Sequence, residues 1–134
     1  MVKKLGILLT TSLVVSLMGC NRPDSVTTIK SPLGGVFYTV EVSKSSGPTS
    51  DFTRVYAHLE RNGKAKKILV LDGENLTVGP ILWSTPHDAT LCLQGGITDT
   101  FRNEVTLIVG DTPADSETIH HVLQEQCKVA PQGT

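Results

Sequence analysis

Four histidines, His58, His87, His120 and His121, are the side chains of this 134-residue chain that exchange a proton near neutral pH. Nucleophilic catalysis would need one of them beside a serine or cysteine, and metal binding would need several converging on one point. The spacing supports neither. There is no Gly-x-Ser-x-Gly turn, no phosphate-binding loop, no His-Glu-x-x-His and no calcium loop. His120 and His121 are adjacent, so they diverge by about 100° on a helix or point to opposite faces of a strand. Both read as surface residues. His87-Asp88 falls in a turn, where aspartate commonly bonds the local backbone. His58 shares one side of an alternating run with Arg54, Tyr56 and Glu60, and these four form a candidate interaction surface. No catalytic residue, metal ligand or cofactor is assigned. The rival is a small hydrolase using His58 or His87 with a nearby carboxylate.

The elements that must position these residues are mostly strands. Residues 52–60 alternate, with Thr53, Val55, Ala57 and Leu59 on one face and Arg54, Tyr56, His58 and Glu60 on the other. Asn62-Gly63 follows, the strongest short hairpin signal, and the return strand spans 65–71, closed by Asp72-Gly73. Earlier, Val36, Tyr38, Val40 and Val42 alternate with Phe37, Thr39, Glu41 and Ser43 after a turn at Ser31-Pro32-Leu33-Gly34-Gly35. Residues 78–84 and 89–94 form a second hairpin about Thr85-Pro86-His87-Asp88. Residues 95–103 read as a loop and 104–109 as a further strand. Trp83, the only tryptophan, reads as core, and residues 45–50 as a polar Gly/Pro/Ser loop.

The tail differs. Thr112-Pro113-Ala114-Asp115 has a threonine cap, a proline at the first helical position and an acid at the third. Ile119, Val122, Leu123 and Cys127 follow at helical spacing, which predicts a helix over 113–126, with a seventh strand as the alternative. The expected fold is α+β: mainly an antiparallel β sheet or small sandwich, with one C-terminal helix.

The first twenty residues carry an address. Lys3 and Lys4 precede a predominantly apolar run over 5–18, and Gly19 stands directly before Cys20. That run is shorter than the roughly twenty residues that cross a bilayer. Leu17-Met18-Gly19-Cys20 resembles the lipobox of bacterial lipoproteins. The resemblance implies a signal peptide over 1–19 and lipidation of Cys20, followed by a flexible tether over 20–29 and one β-rich domain over 30–134. It also implies attachment to a membrane through the lipid, and Asn21 after the cysteine favours the outer membrane, facing the periplasm.

Removing residues 1–19 takes two lysines and no acid, so 10 basic residues stand against 13 acidic and the net charge moves from −1 to −3. Nucleic acid is a poor partner for such a domain, because it wants a basic face. Outside the cytoplasm the remaining pair, Cys92 and Cys127, reads as a disulfide pinning the tail. Its rivals are a metal or redox pair, for which Cys-x-x-Cys spacing is missing, and two buried thiols. Ser31-Pro32-Leu33-Gly34 and Ile81-Leu82-Trp83-Ser84 faintly resemble the blade openings of periplasmic β-propellers, and the pattern is similar to small blade-like β lipoproteins. That likeness speaks to topology, since fold does not carry function. The expected function is a lipid-anchored, non-catalytic envelope module that binds a protein partner. The alternatives are an inhibitor or immunity lipoprotein acting against a toxin or cell-wall hydrolase, and the hydrolase above.

Overall fold

The computed structural model describes residues 23–44, 51–125 and 127. The signal segment, Cys20, Asn21 and the loop at 45–50 lie outside the described residues. Nine strands follow in chain order: β1 (Ser25–Lys30), β2 (Val36–Ser43), β3 (Phe52–Arg61), β4 (Lys64–Glu74), β5 (Thr77–Thr85), β6 (Asp88–Gln94), β7 (Ile97–Phe101), β8 (Glu104–Ile108) and β9 (Ser116–Glu125). They form a five-stranded sheet in the order β1-β2-β3-β4-β7 and a four-stranded sheet in the order β5-β6-β9-β8. Every pairing is antiparallel except β6 with β9, which run parallel.

The period of two explains the layering. On β3, Thr53, Val55, Ala57 and Leu59 are buried while Arg54, Tyr56 and His58 are half-exposed and Glu60 is exposed. Val36, Tyr38, Val55, Leu59 and Leu71 of the first sheet share one core with Ile81, Leu91, Leu107 and Ile119 of the second. The two sheets therefore bury their apolar faces against each other as a sandwich. At the β3–β4 turn Asn62 and Gly63 both adopt positive φ, at 54° and 74°. That is the conformation a two-residue hairpin loop demands. Between Val55 and Tyr56 the register slips, so Val70 is inserted and both Val70 and Leu71 are buried.

One side of the sandwich is closed by the chain itself. β7 ends the first sheet, β8 ends the second, and Arg102 and Asn103 link them. The Arg102 N–H donates to the Val70 carbonyl at 2.8 Å, and the Asn103 carbonyl accepts from the His121 N–H at 2.7 Å. The link is thus bonded to both sheets, which leaves β1 and β5 as the edges of the opposite side.

Three expectations need correction. The helix over 113–126 does not form. Residues Pro113–Asp115 make a single 3-10 turn, closed by bonds from the Thr112 N–H and hydroxyl to the Asp115 carboxylate at 3.2 and 2.7 Å. The chain then extends as β9, because a strand there gains hydrogen-bonded neighbours on both sides, β6 and β8. The β-branched Thr118, Ile119 and Val122 suit that conformation better than a helix. Residues 25–29 of the expected tether over 20–29 are a strand, since β1 starts at Ser25 and pairs in unbroken register with β2. The loop over 95–103 contains β7, and β4 runs on through Asp72 and Gly73 to pair with it.

Cys92 and Cys127 form the disulfide, with Cα atoms 5.4 Å apart and a sequence separation of 35. Cys92 lies on β6 beside Gln124 of β9, so the bond ties the end of β9 to its parallel neighbour. Parallel strands need a long connection, here from β6 out through β7 and β8 and back. The cross-link shortens that loop in the unfolded chain. Replacing both cysteines by alanine is expected to lower unfolding free energy by about 3 to 4 kcal/mol in the chain-entropy picture, measured by urea titration. A loss under about 1 kcal/mol would show that the bond does little for the fold.

Candidate protein-interaction face

Three strands build the outer face of the five-stranded sheet around β3. Cross-strand register sets Glu41 beside Arg54 and Arg54 beside Asp72, then Thr39 beside Tyr56 and Tyr56 beside Leu69, then Phe37 beside His58 and His58 beside Lys67. Directly opposed side chains on one face of a sheet lie close enough to interact. His58 stacks on Phe37 with ring centroids 4.5 Å apart and planes 7° apart. Its Nε2 shares a 2.8 Å hydrogen bond with the Thr39 hydroxyl. The edge of Tyr56 meets it at 6.4 Å. The Lys67 ammonium sits 4.0 Å from the Tyr56 ring centre and 3.7 Å from a Glu41 carboxylate oxygen, and the Arg54 guanidinium lies 4.5 Å from the Phe52 ring centre.

Partial burial and the neighbouring Lys67 charge lower the His58 pKa below the ordinary histidine value, while Glu60 and Glu41 act the other way. The shift favours the neutral ring, which presents an aromatic surface rather than a charge. Arg54, Tyr56 and His58 are brought together as the alternation requires, and Glu60 stands exposed at the rim. Reading one strand missed Phe37 and Lys67. The Asn62-Gly63 turn could have found Lys67, since counting back from a two-residue loop sets residue 67 opposite residue 58.

The other histidines fall elsewhere. Asp88 accepts from the Thr85 hydroxyl at 2.6 Å and does not engage His87. His87 Nε2 instead meets Glu117 Oε1 at 3.0 Å, and Arg61 holds the other oxygen at 2.6 Å. Burial alone would raise the Glu117 pKa, but the His87 and Arg61 hydrogen bonds and the charges behind them hold it below the usual value. Arg61 also donates to the Gly34 and Ala114 carbonyls, each at 2.8 Å, so the cluster ties together three turns at one end of the molecule. His120 is exposed and lies 3.3 Å from Glu104. Among the described residues no three His, Cys, Asp or Glu side chains are placed to hold one metal ion.

His121 is not a surface residue. It is 3% exposed, and its Nε2 shares a 2.6 Å hydrogen bond with the Tyr38 hydroxyl of the opposite sheet. The sequence hid this because an apolar strand face tolerates a histidine only when another strand supplies its partner. Trp83, partly buried, meets Tyr38 edge-on at 5.7 Å, in keeping with its reading as core. Burial lowers the His121 pKa to about 4, with the Arg102 backbone acting the other way. Nδ1 has no partner within hydrogen-bonding geometry. The neutral ring shares this hydrogen bond with the Tyr38 hydroxyl, which keeps its proton.

Compared with protein-family models, curated proteins and solved structures, the chain matches none of them.

The depressed His121 pKa sets a pH dependence of stability. Above about pH 6.5 neither the folded nor the unfolded side chain binds the proton, and the contribution is complete. As pH falls toward 4 the unfolded chain takes up a proton that the folded protein refuses, so stability declines by about 3 kcal/mol in all. Below pH 4 both states are protonated and the slope ends. Urea denaturation between pH 7 and 4 should show this decline in the wild-type protein. His121→Gln should show a shallower decline, the part left by His58 and Glu117, while keeping a hydrogen-bonding group for Tyr38. An identical pH slope in the variant would remove His121 as its source.

Proposed function

We propose that the protein is a lipid-anchored lipoprotein of the cell envelope, attached through Cys20 to the outer membrane facing the periplasm, which docks a protein partner on the outer face of its five-stranded sheet. The lipobox resemblance of Leu17-Met18-Gly19-Cys20 supports the anchor. Two or more acyl chains hold a protein firmly, since each buried methylene contributes about 0.8 kcal/mol.

The observation that carries the docking role is the Phe37, Tyr56 and His58 cluster with Arg54 and Lys67 about it. Tyrosine and arginine are the side chains most enriched where binding energy concentrates, because they combine large contact area with a polar handle. Here they sit half-exposed on paired strands, which fix their backbone before a partner arrives. Little conformational freedom is left to lose on binding. No reaction is assigned to this face.

Two measurements test the reading. Cys20→Ser is expected to move the protein from the membrane fraction to the soluble fraction, with loss of the acyl mass from its N-terminus. In cells carrying the anchored protein, crosslinking and mass spectrometry should recover a specific envelope partner. The double variant Tyr56→Ala, His58→Ala should reduce that recovery at least about tenfold, a loss typical of central interface residues. Undiminished recovery with both side chains removed would exclude this face as the docking surface.

A further inference from the structure

On the side of the sandwich bounded by β1 and β5, one strand edge is unpaired among the described residues. The Ser31 N–H donates to the Val36 carbonyl at 3.2 Å, which makes 31 and 36 a hydrogen-bonded pair in the β1–β2 register. In an antiparallel ladder bonded and non-bonded pairs alternate. Ser25, Thr27 and Ile29 therefore bond to β2. The N–H and C=O groups of Val26, Thr28 and Lys30 point away from it, and no described residue pairs with them.

Natural sheets guard such edges, and the other three are guarded here. On β5, Gly79 and Pro80 stand against Cys92 as a bulge, and Pro80 has no N–H to offer. A second register shift follows between Trp83 and Thr85. β7 and β8 are five-residue strands joined by the bonded Arg102-Asn103 link. β1 alone among them has no proline, no bulge and an unbroken register, in a sequence rich in β-branched residues.

Each face beside β1 also carries a depression. On the outer face Thr28, Lys30, Leu33, Val36 and Phe37 line a hollow of about 430 Å³. On the inner face Thr27, Val40, Val42, Thr53, Leu76 and Val78 line another of about 390 Å³, at the seam between the sheets. A strand laid against β1 would send alternate side chains to these two faces, since successive residues of a strand point opposite ways. Unpaired main-chain groups with pockets on both sides are what strand addition requires: the first gives affinity and the second selects the sequence.

We propose that β1 is the docking edge for an extended segment of the protein partner, which adds as a sixth strand. Apolar residues of that segment enter the inner hollow at alternate positions, and an acidic residue lies near Lys30 on the outer side. The proposal rests on the protein-binding reading above and names the form the partner takes. It also accounts for a β1 that carries neither proline nor bulge.

The test uses the full chain in cells, with a photo-crosslinking residue in place of Val26 or Lys30. Thr28→Pro removes one outward N–H and leaves the bonds to β2 intact, because residue 28 is not in a bonded pair with it. Thr28→Val, which keeps the N–H and nearly the same side-chain volume in the hollow, is the control, and thermal melting confirms that both variants fold. Adducts at both positions should map to one extended partner segment with alternating apolar residues. They should fall at least about tenfold in Thr28→Pro and persist in Thr28→Val. Adducts to a second copy of this chain, to a non-extended surface, or unaffected by Thr28→Pro would overturn the proposal. A crosslinker in place of Tyr56 separates the two readings. A partner captured there with none at β1 overturns strand addition alone, and no capture at any of the three positions removes both.

Discussion

Buried tyrosine and histidine side chains need each other, and at the centre of this sandwich Tyr38 of β2 and His121 of β9 meet at 2.6 Å across the two sheets. An apolar seam between sheets is tolerant, since apolar groups can slide and still be buried. A buried hydrogen bond is not, because a polar group left unsatisfied costs about 1 to 3 kcal/mol. A one-residue slip of either strand would turn its side chain to the solvent face and leave the other orphaned. The contact therefore sets the register of β2 against β9, and through their neighbours that of both sheets. Burial also pushes the Tyr38 phenol well above its ordinary pKa, so the hydroxyl keeps its proton. Trp83 against the Tyr38 ring completes a polar-tipped aromatic centre in an otherwise aliphatic core.

From that fixed seam the two sides of the molecule diverge. The Arg102-Asn103 link bonds to Val70 in one sheet and His121 in the other, so the side with β7 and β8 is stitched at the same place where the centre is pinned. Arg61 does similar work at one end, where it joins the Gly34, Ala114 and Glu117 elements. On the β1 side the β4–β5 link is held to the first sheet, by the Asn75 N–H on the Asp51 carbonyl at 2.9 Å and the Thr53 hydroxyl on the Leu76 carbonyl at 3.1 Å. β3, in the middle of its sheet, holds its outer side chains on a backbone paired on both sides. The bulge between Val55 and Tyr56 adds a local twist that re-aims the β3 and β4 side chains just where Tyr56 meets Lys67.

How much of this was legible follows from the range of the forces involved. Local signals read well: the alternation of β3, the Asn62-Gly63 turn, and the hairpin about Pro86 and His87 all appear where their residues require. The candidate face was half legible, because one strand shows its own side chains but not those opposite. Phe37 and Lys67 become visible only with register. Non-local choices were hidden. Thr112 to Asp115 is a sound helix start, and the chain makes a single turn there before the vacancy between β6 and β8 draws the next ten residues into a strand. β1 and β7 are sheet edges whose polar sequences, Ser25 to Lys30 and Ile97 to Phe101, look like loops until a neighbouring strand supplies half their hydrogen bonds. His121 was misplaced for the same reason, since its partner is 83 residues away.

The proposed anchor and the open edge constrain each other. Ser25 lies five steps along the chain from Cys20, and an extended chain spans at most about 3.6 Å per residue. An acylated Cys20 would thus hold the start of β1 within roughly 18 Å of the headgroups. β1 itself rises only about 20 Å, so no part of the open edge would lie far from the membrane surface. A partner segment reaching β1 would then come from something confined to the same narrow layer, where tethering raises effective concentration and modest affinity suffices. A long disordered tether would remove that advantage, because effective concentration falls as linker length grows. With the proposed anchor in place, the start of β1 at Ser25, rather than further along the chain, would couple location to recognition.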